Sequence, residues 1–571
     1  MNQKSQKTVK PISVTVLVLF LGIALSCRKD DKSYHSVPYP INFDFKARSF
    51  QGHPLGWDFR LANFLGFKNE VIDSMLVVSH ADSTKKVAFS YSIPGIYLSK
   101  TKISLSVEFT KKDPSFVDPV LTVRTSKGFN DGKNTKAKID HISSTLVLQN
   151  LYIPEGTKDV LISIEIEGPN HIGLSPINFK VDGHSSAGFL EYREENDIAN
   201  ELREFVHPLG QTEASDGLKK LVQRINQARF VLIGESVHGA DVFHKFKVDL
   251  TQSLIHNQKK VLVAMEDNMF AVQNLANTKE LNAEVFKNAV FGVWESTHIY
   301  EFFKEKSSIG DSTILIAVDV QNPNHSIQYL RSMGHPKIDG KSLKFLDSVS
   351  QLITNKEIRK LEAGQINELL EGIKKIQISE SILSQEELKY SQLAKIQLSR
   401  CIEFISKPST NHRDQLMAEN LKSLSQTFGE EYTIVYWGHD GHVRKNEGGT
   451  GGFLKEIVDD RVFSLSLQTL KGEHKAYGFF NGKLSWGNST LIELPDGTLE
   501  RLIWNSANNK DAFLIFDELP DHLTNAMDIW RPVRSIGAAA TDFGLNSWKI
   551  NGDVYDGVVV FERANPLEKP E

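Results

Sequence analysis

Four short, almost wholly apolar runs govern what this chain can fold into: 230–233 (FVLI), 261–265 (VLVAM), 314–318 (ILIAV) and 433–437 (TIVYW). A strand that is apolar on both faces cannot border water on either. Such runs, separated by long helical patterns, predict a parallel sheet covered by helices on both sides. Each run ends on polar chemistry: Glu235 after the first, Glu266 after the second, Asp319 after the third and His439 after the fourth. In open α/β sheets ligands sit beyond the carboxyl ends of the strands, so four separate strands are expected to deliver their polar residues to one rim.

The chain before this region has a different grammar. Residues 87–93, 103–109, 120–123, 144–148 and 160–166 alternate apolar and polar side chains, are rich in β-branched residues and are broken by turn signals. That pattern predicts an antiparallel sandwich. At 571 residues the chain exceeds what one core usually organises. The expected fold is an α/β catalytic domain (196–565) with a mostly parallel buried sheet and a helical insertion (342–407), preceded by an accessory all-β sandwich (42–185). The sandwich gathers no titratable cluster, and its Trp57, Phe59 and Tyr97 are expected in the core. The insertion, with apolar residues at helical spacing, is expected as a hairpin capping the rim.

Lys4, Lys7 and Lys10 precede an apolar run over 12–25 that ends at Ser26 and Cys27. A positive start, an apolar run shorter than the about 20 residues of a membrane span, and a small residue before cysteine predict a lipoprotein-type signal over 1–27. Cys27 is then the lipid anchor and 28–41 a polar tether, so the expected location is the cell envelope, on a membrane through that lipid. The only other cysteine, Cys401, is expected as a buried small hydrophobe. A formal charge of -5 gives no basic field for a phosphate backbone, and nucleic acid is not an expected partner.

The chemistry concentrates in two glycine-rich turns. In 234–239 (GESVHG) Glu235 stands three residues before His238, close enough for a carboxylate to hold the tautomer of an imidazole acting as general base. In 436–443 (YWGHDGHV) His439 and His442 flank a glycine turn; they could donate to an oxyanion, bind a metal or hold a substrate oxygen. Ser236 lacks the Gly-x-Ser-x-Gly elbow of a serine nucleophile. Glu235, His238, Glu266, His439 and His442 offer enough N and O atoms for a divalent metal, although Glu235 and His238 lie in a turn and not on one helix face. No cofactor is expected, a divalent metal being the alternative.

With these motifs in view the chain resembles the erythromycin esterase family. The resemblance rests on Gly234-Glu235-x-x-His238-Gly239, Met265-Glu266, Phe291-Gly-Val-Trp294, Val318-Asp319, Arg413-Asp414-x-x-Met417-Ala418-x-Asn420 and Trp437-x-His439-x-x-His442-Val443, in that order. It implies hydrolysis of a carboxylic ester or lactone by water, with no covalent enzyme intermediate. It further implies His238 as base, Glu235 as its orienting group, His439 and His442 at the oxyanion or substrate, Glu266 positioning water and Lys247 as a basic group nearby. Trp294, Asp319 and Arg413 are expected to line the substrate. Val242 stands where many members have Glu, and Lys247 where some have Arg, so macrolide cleavage does not follow. The competing expectations are a surface ligand-binding protein on the same fold and a metal-dependent hydrolase. Oligomeric state is not legible.

Overall fold

Strict alternation shapes the first part of the chain. In Lys86–Pro94, Lys102–Lys111 and Asp159–Glu167 every second side chain is buried, from Val87 to Ile93, Ile103 to Phe109 and Val160 to Ile166. That is the signature of strands with one face on a core. Asp159–Glu167 pairs antiparallel with Lys86–Pro94 and Val120–Ser126, and Lys102–Lys111 with Thr145–Tyr152. These strands belong to two sheets, of five and eight strands among the described residues, whose inner faces share one apolar cluster. Trp57, Phe59 and Tyr97 lie in that cluster.

The computed structural model describes residues 37–571 except 48–53, 55, 60–61, 63–64, 83–84, 129–130, 187, 193–195, 211–215, 258, 310–312, 459–460, 481–482 and 539–544. The expected export signal, Cys27 and the tether up to residue 36 lie outside the described residues. No helix among the described residues is long and apolar enough to cross a membrane.

From Val206 onward nine of the described strands form one mixed sheet, while Arg531–Arg534 and Leu545–Trp548 pair separately: β1 (Val206–Pro208), β2 (Phe230–Glu235), β3 (Lys260–Asn268), β4 (Thr313–Asp319), β5 (Tyr432–His439), β6 (Val462–Phe480), β7 (Lys483–Leu491), β8 (Ala512–Ile515) and β9 (Gly557–Ala564). Their order is β1-β8-β9-β6-β2-β5-β3-β4, with β7 paired to β6 alone. The stretch from β9 to β4 is parallel; β1, β7 and β8 join antiparallel. Successive side chains enter opposite cores: Leu232, Ala264, Ile316 and Ile434 one cluster, Val231, Val263, Leu315 and Val435 another. Burial on both faces is what an apolar strand demands.

Helix α1 (Asp241–His256) follows β2. The insertion differs from the expected hairpin over the rim. It forms three helices, α2 (Gly340–Thr354), α3 (Ala363–Lys374) and α4 (Gln385–Ser406), whose Leu346, Leu369, Ile373 and Leu398 share a cluster with Leu232 and Ala264. The reason is the apolar stripe on each helix, which must meet an apolar surface; the helix-covered face of the sheet offers one and the polar rim does not. Cys401 on α4 is fully buried. Helix α5 (Thr410–Phe428) leads into β5.

Candidate active site

The ends of β2 and β5 lie side by side, Glu235 paired in register with His439. Their closeness depends on glycine. A Cβ on Gly234 would fall 2.3 Å from Val443 Cγ2 and 2.6 Å from Asp440 Cα. Gly239 turns the chain into α1 at φ +76°, with its α-carbon against the backbone of Lys475.

His238 Nδ1 lies 2.6 Å from Glu235 Oε1. The second oxygen, Oε2, accepts from Lys247 Nζ at 2.7 Å and faces His244 Nε2 at 3.4 Å. Glu235, His244 and Lys247 are fully buried. Burial alone would raise the Glu235 carboxyl, but the Lys247 charge, His244 and the His238 bond together hold it well below the usual range. Burial lowers both His244 and Lys247. Beneath them lies Trp294, its ring 4.6 Å from Lys247 Nζ and stacked on His244 at 5.3 Å. The His238 backbone is fixed too: its N–H donates to Gly537 O at 3.0 Å, and its carbonyl lies 2.9 Å from His474 Nδ1. No described residue bonds His238 Nε2.

The other half is a charge lattice around Arg413. Its Nε and Nη2 donate to Asp319 at 3.0 and 2.7 Å, and Nη2 also to Glu266 Oε1 at 2.8 Å. His442 places Nδ1 2.7 Å from Asp414 Oδ1 and Nε2 3.2 Å from Glu266 Oε1. Burial pulls the His442 ring down, yet Glu266 and Asp414 outweigh it and raise it to about 10. A charged His442 spends both N–H groups on carboxylates. Arg413 Nη1, 3.1 Å from His442 Nε2, then faces a second donor, and its hydrogens are left for another acceptor.

His439 sits between the halves, its ring centroid 5.1 Å from that of His238 and 6.2 Å from that of His442. Burial first, then His238 and His442, push it down to about 3, so the ring is neutral. Nε2 accepts the Gly537 N–H at 3.0 Å. Nδ1 in turn accepts the Gly441 N–H at 3.1 Å and lies 3.3 Å from Asp440 Oδ1, so a backbone N–H faces each ring nitrogen.

The family model described as erythromycin esterase matches residues 345–564. This part of the chain is erythromycin esterase-like. The putative hydrolase YbfO of Bacillus subtilis (strain 168) is 22% identical over 369 residues, 55% of this chain and 80% of the relative. Among solved structures, a succinoglycan biosynthesis protein superposes with a TM-score of 0.55 at 16% identity, covering 65% of this chain and 98% of that one. A Bacillus cereus protein gives 0.53 at 17% identity, covering 66% and 99%. These two structures share the fold. The esterase-like match takes in Arg413, Asp414, His439 and His442, while Glu235, His238, Lys247 and Glu266 lie upstream of it on elements of the same sheet.

At the rim of this sheet all nine residues expected at the site come together, with changed parts for five of them. Trp294 is fully buried and donates Nε1–H to Glu266 O at 2.9 Å; it is a floor under His244 and Lys247, not a surface for substrate. Asp319, also fully buried, spends its oxygens on Arg413, the Val320 N–H and Gln321. Lys247 compensates Glu235 and cannot reach a substrate. Both ring nitrogens of His439 face backbone N–H groups, so neither is aimed at an oxyanion. Glu266 holds Arg413, His442 and the His439 N–H, the last at 2.9 Å, so both of its oxygens already accept from protein groups.

Sequence reasoning missed His244, Asp414, His474 and Gly537. Asp414 stood inside a quoted motif beside Arg413, and a second histidine six residues after the base was a visible cue for His244. His474 and Gly537 carried no signal, since they arrive from a strand and a loop far along the chain. The Ser236 hydroxyl is buried without a hydrogen-bond partner, so no base is placed to activate it. Among the described residues no group of three or more His, Cys, Asp or Glu side chains is arranged to hold a metal ion.

Proposed function

We propose that the protein is an envelope-anchored hydrolase that cleaves a carboxylic ester or lactone with water activated by His238. The observation that carries this reading is the 2.6 Å contact between His238 Nδ1 and a permanently charged Glu235. It fixes the Nδ1–H tautomer and leaves Nε2, bonded by no described residue, as the base. Water attacks the carbonyl carbon as its proton passes to Nε2, and Glu235 steadies the imidazolium that forms. The carbonyl π electrons move to oxygen, where Arg413 Nη1 supplies positive charge. The tetrahedral species collapses, the bond to the alkoxide breaks, and His238 returns its proton to that oxygen, giving acid and alcohol. Arg413 and the charged His442 are paired with Asp319, Glu266 and Asp414, so what faces the oxyanion is the Nη1 end of the arginine, whose N–H groups are not spent on those carboxylates.

The descriptions of the family and of the curated relative, both hydrolases, support the reaction class; the family description supports an ester bond as target. The anchor rests on Lys4 to Cys27 alone. Purified protein assayed against a panel of simple esters and lactones tests the reaction: turnover is expected for the wild type and a loss of roughly 100-fold or more for His238→Ala. A variant with full activity would exclude His238 as base. In cells, Cys27→Ala is expected to move the protein from the membrane to the soluble fraction.

A further inference from the structure

Beyond Gly472 the only strand partner of β6 among the described residues is β7, since the pairing with β9 ends there. The resulting hairpin carries large side chains into solvent: Tyr477 is 44%, Leu484 53% and Trp486 37% exposed. Tyr477 and Trp486 are direct cross-strand partners, with ring centroids 5.5 Å apart. A soluble surface does not usually gather such side chains without a use.

Their position supplies one. The N–H of Lys475 donates to Gly239 O at 2.8 Å and that of Tyr477 to Ala538 O at 2.7 Å, so the hairpin is laced to the residues next to His238 and Gly537. The residue between them in the chain, Ala476, is buried, as is His474, whose ring meets the His238 carbonyl. On the other strand, Trp486 lies on Gly292, where a Cβ would come within 3.2 Å of the indole; Gly292 opens the short helix that places Trp294 under the site. The aromatic pair is therefore tied on both strands to the frame of the candidate base. Between it and Gly239, about 7 Å along the strand, stands Lys475, bonded to Asn488 at 3.3 Å.

We propose that Tyr477 and Trp486 form a platform at the mouth of the site that holds a ring-bearing part of the substrate, the flat or chair-shaped C–H face of the ring lying on the aromatic pair. The substrate class is an ester whose acid or alcohol part carries such a ring. This inference rests on the ester-hydrolase reading above. Neither residue touches the reacting atoms, so both act on specificity. Aromatic contacts of this kind have a geometry that selects rings over flexible chains.

The test compares Trp486→Ala, Tyr477→Ala and Trp486→Phe with the wild type on cyclohexyl acetate, phenyl acetate and an acetylated pyranoside, with ethyl acetate as the ringless control. KM for ring esters is expected to rise roughly three- to tenfold in both alanine variants, with kcat little changed, ethyl acetate unaffected and Trp486→Phe close to wild type. The three ring probes separate a hydrocarbon, an aryl and a sugar face. Binding of N-cyclohexylacetamide, an uncleaved amide of the same shape, is measured in parallel by calorimetry in the same variants and in His238→Ala. If no ester is turned over, the reaction reading fails, while amide binding that is lost in the alanine variants still supports the platform. Ring ligands handled equally by wild type and both alanine variants, or not bound at all, would overturn it.

Discussion

Glu235 carries its charge fully buried, and Lys247 is the cation that makes this possible at 2.7 Å. Removing one partner of a buried pair strands the other, which costs about 3–5 kcal/mol. Lys247→Met is therefore expected to lower the unfolding free energy by about that amount in a urea titration. A variant as stable as the parent would mean that Glu235 takes up a proton at little cost, and that His238 has no permanent counter-charge. Lysine at this place serves a carboxylate below the site, which is why the absence of arginine's planar fork does not disable the arrangement: a point charge suffices for one buried oxygen.

At the scale of the element, the site is a contact between two strand ends, and Gly234 sets their distance. Gly234→Ala would drive a methyl into Val443 and the Asp440 backbone, at 2.3 and 2.6 Å, and so push the His439 turn away from Glu235. Overpacking of this kind costs roughly 1–3 kcal/mol. The expected result is a lower melting temperature together with a larger fall in turnover, followed by calorimetry and an ester assay; unchanged values of both would show that the β5 turn yields freely. This dependence on strand ends also explains what the sequence made legible. The runs at 230–233, 261–265, 314–318 and 433–437 announced both the parallel sheet and the polar residue at each end, because apolar strands between helices leave few other arrangements. Directions of hydrogen bonds were not legible. That His439 would receive an N–H on Nε2, or that Asp319 would turn to Arg413 instead of outward, depends on side-chain packing between elements distant in the chain. The sandwich was legible from alternation, and the insertion's helices from their spacing, but the face they cover was not.

For the whole molecule the buried ionisable groups give a pH dependence of stability. Burial raises the carboxyls of Asp267 to about 8 and of Asp440 and Glu500 to about 7. A raised folded value means the stabilising protonated form is fully present at low pH and is lost as pH rises through those values. His442, raised to about 10, likewise contributes fully below its unfolded value near 6.5 and loses that contribution on the way to 10. His439 and His474, lowered to about 3 and about 4, act in the opposite sense, but only below about 6.5. Between about pH 6.5 and 8.5 these shifts all point one way, so the melting temperature is expected to fall across that interval in scanning calorimetry at fixed ionic strength. A flat or rising profile would mean that these acids are ionised in the folded protein.

Gly537 gives its N–H to His439 and its carbonyl to the His238 N–H, and β9, later still in the chain, lies inside the sheet between β8 and β6. Both histidines thus wait for residues made long after them. A growing chain that has only reached His442 holds every side chain of the proposed reaction but lacks the Gly537 contacts that fix both histidines, so the two rings are locked only after a further stretch of chain has been made.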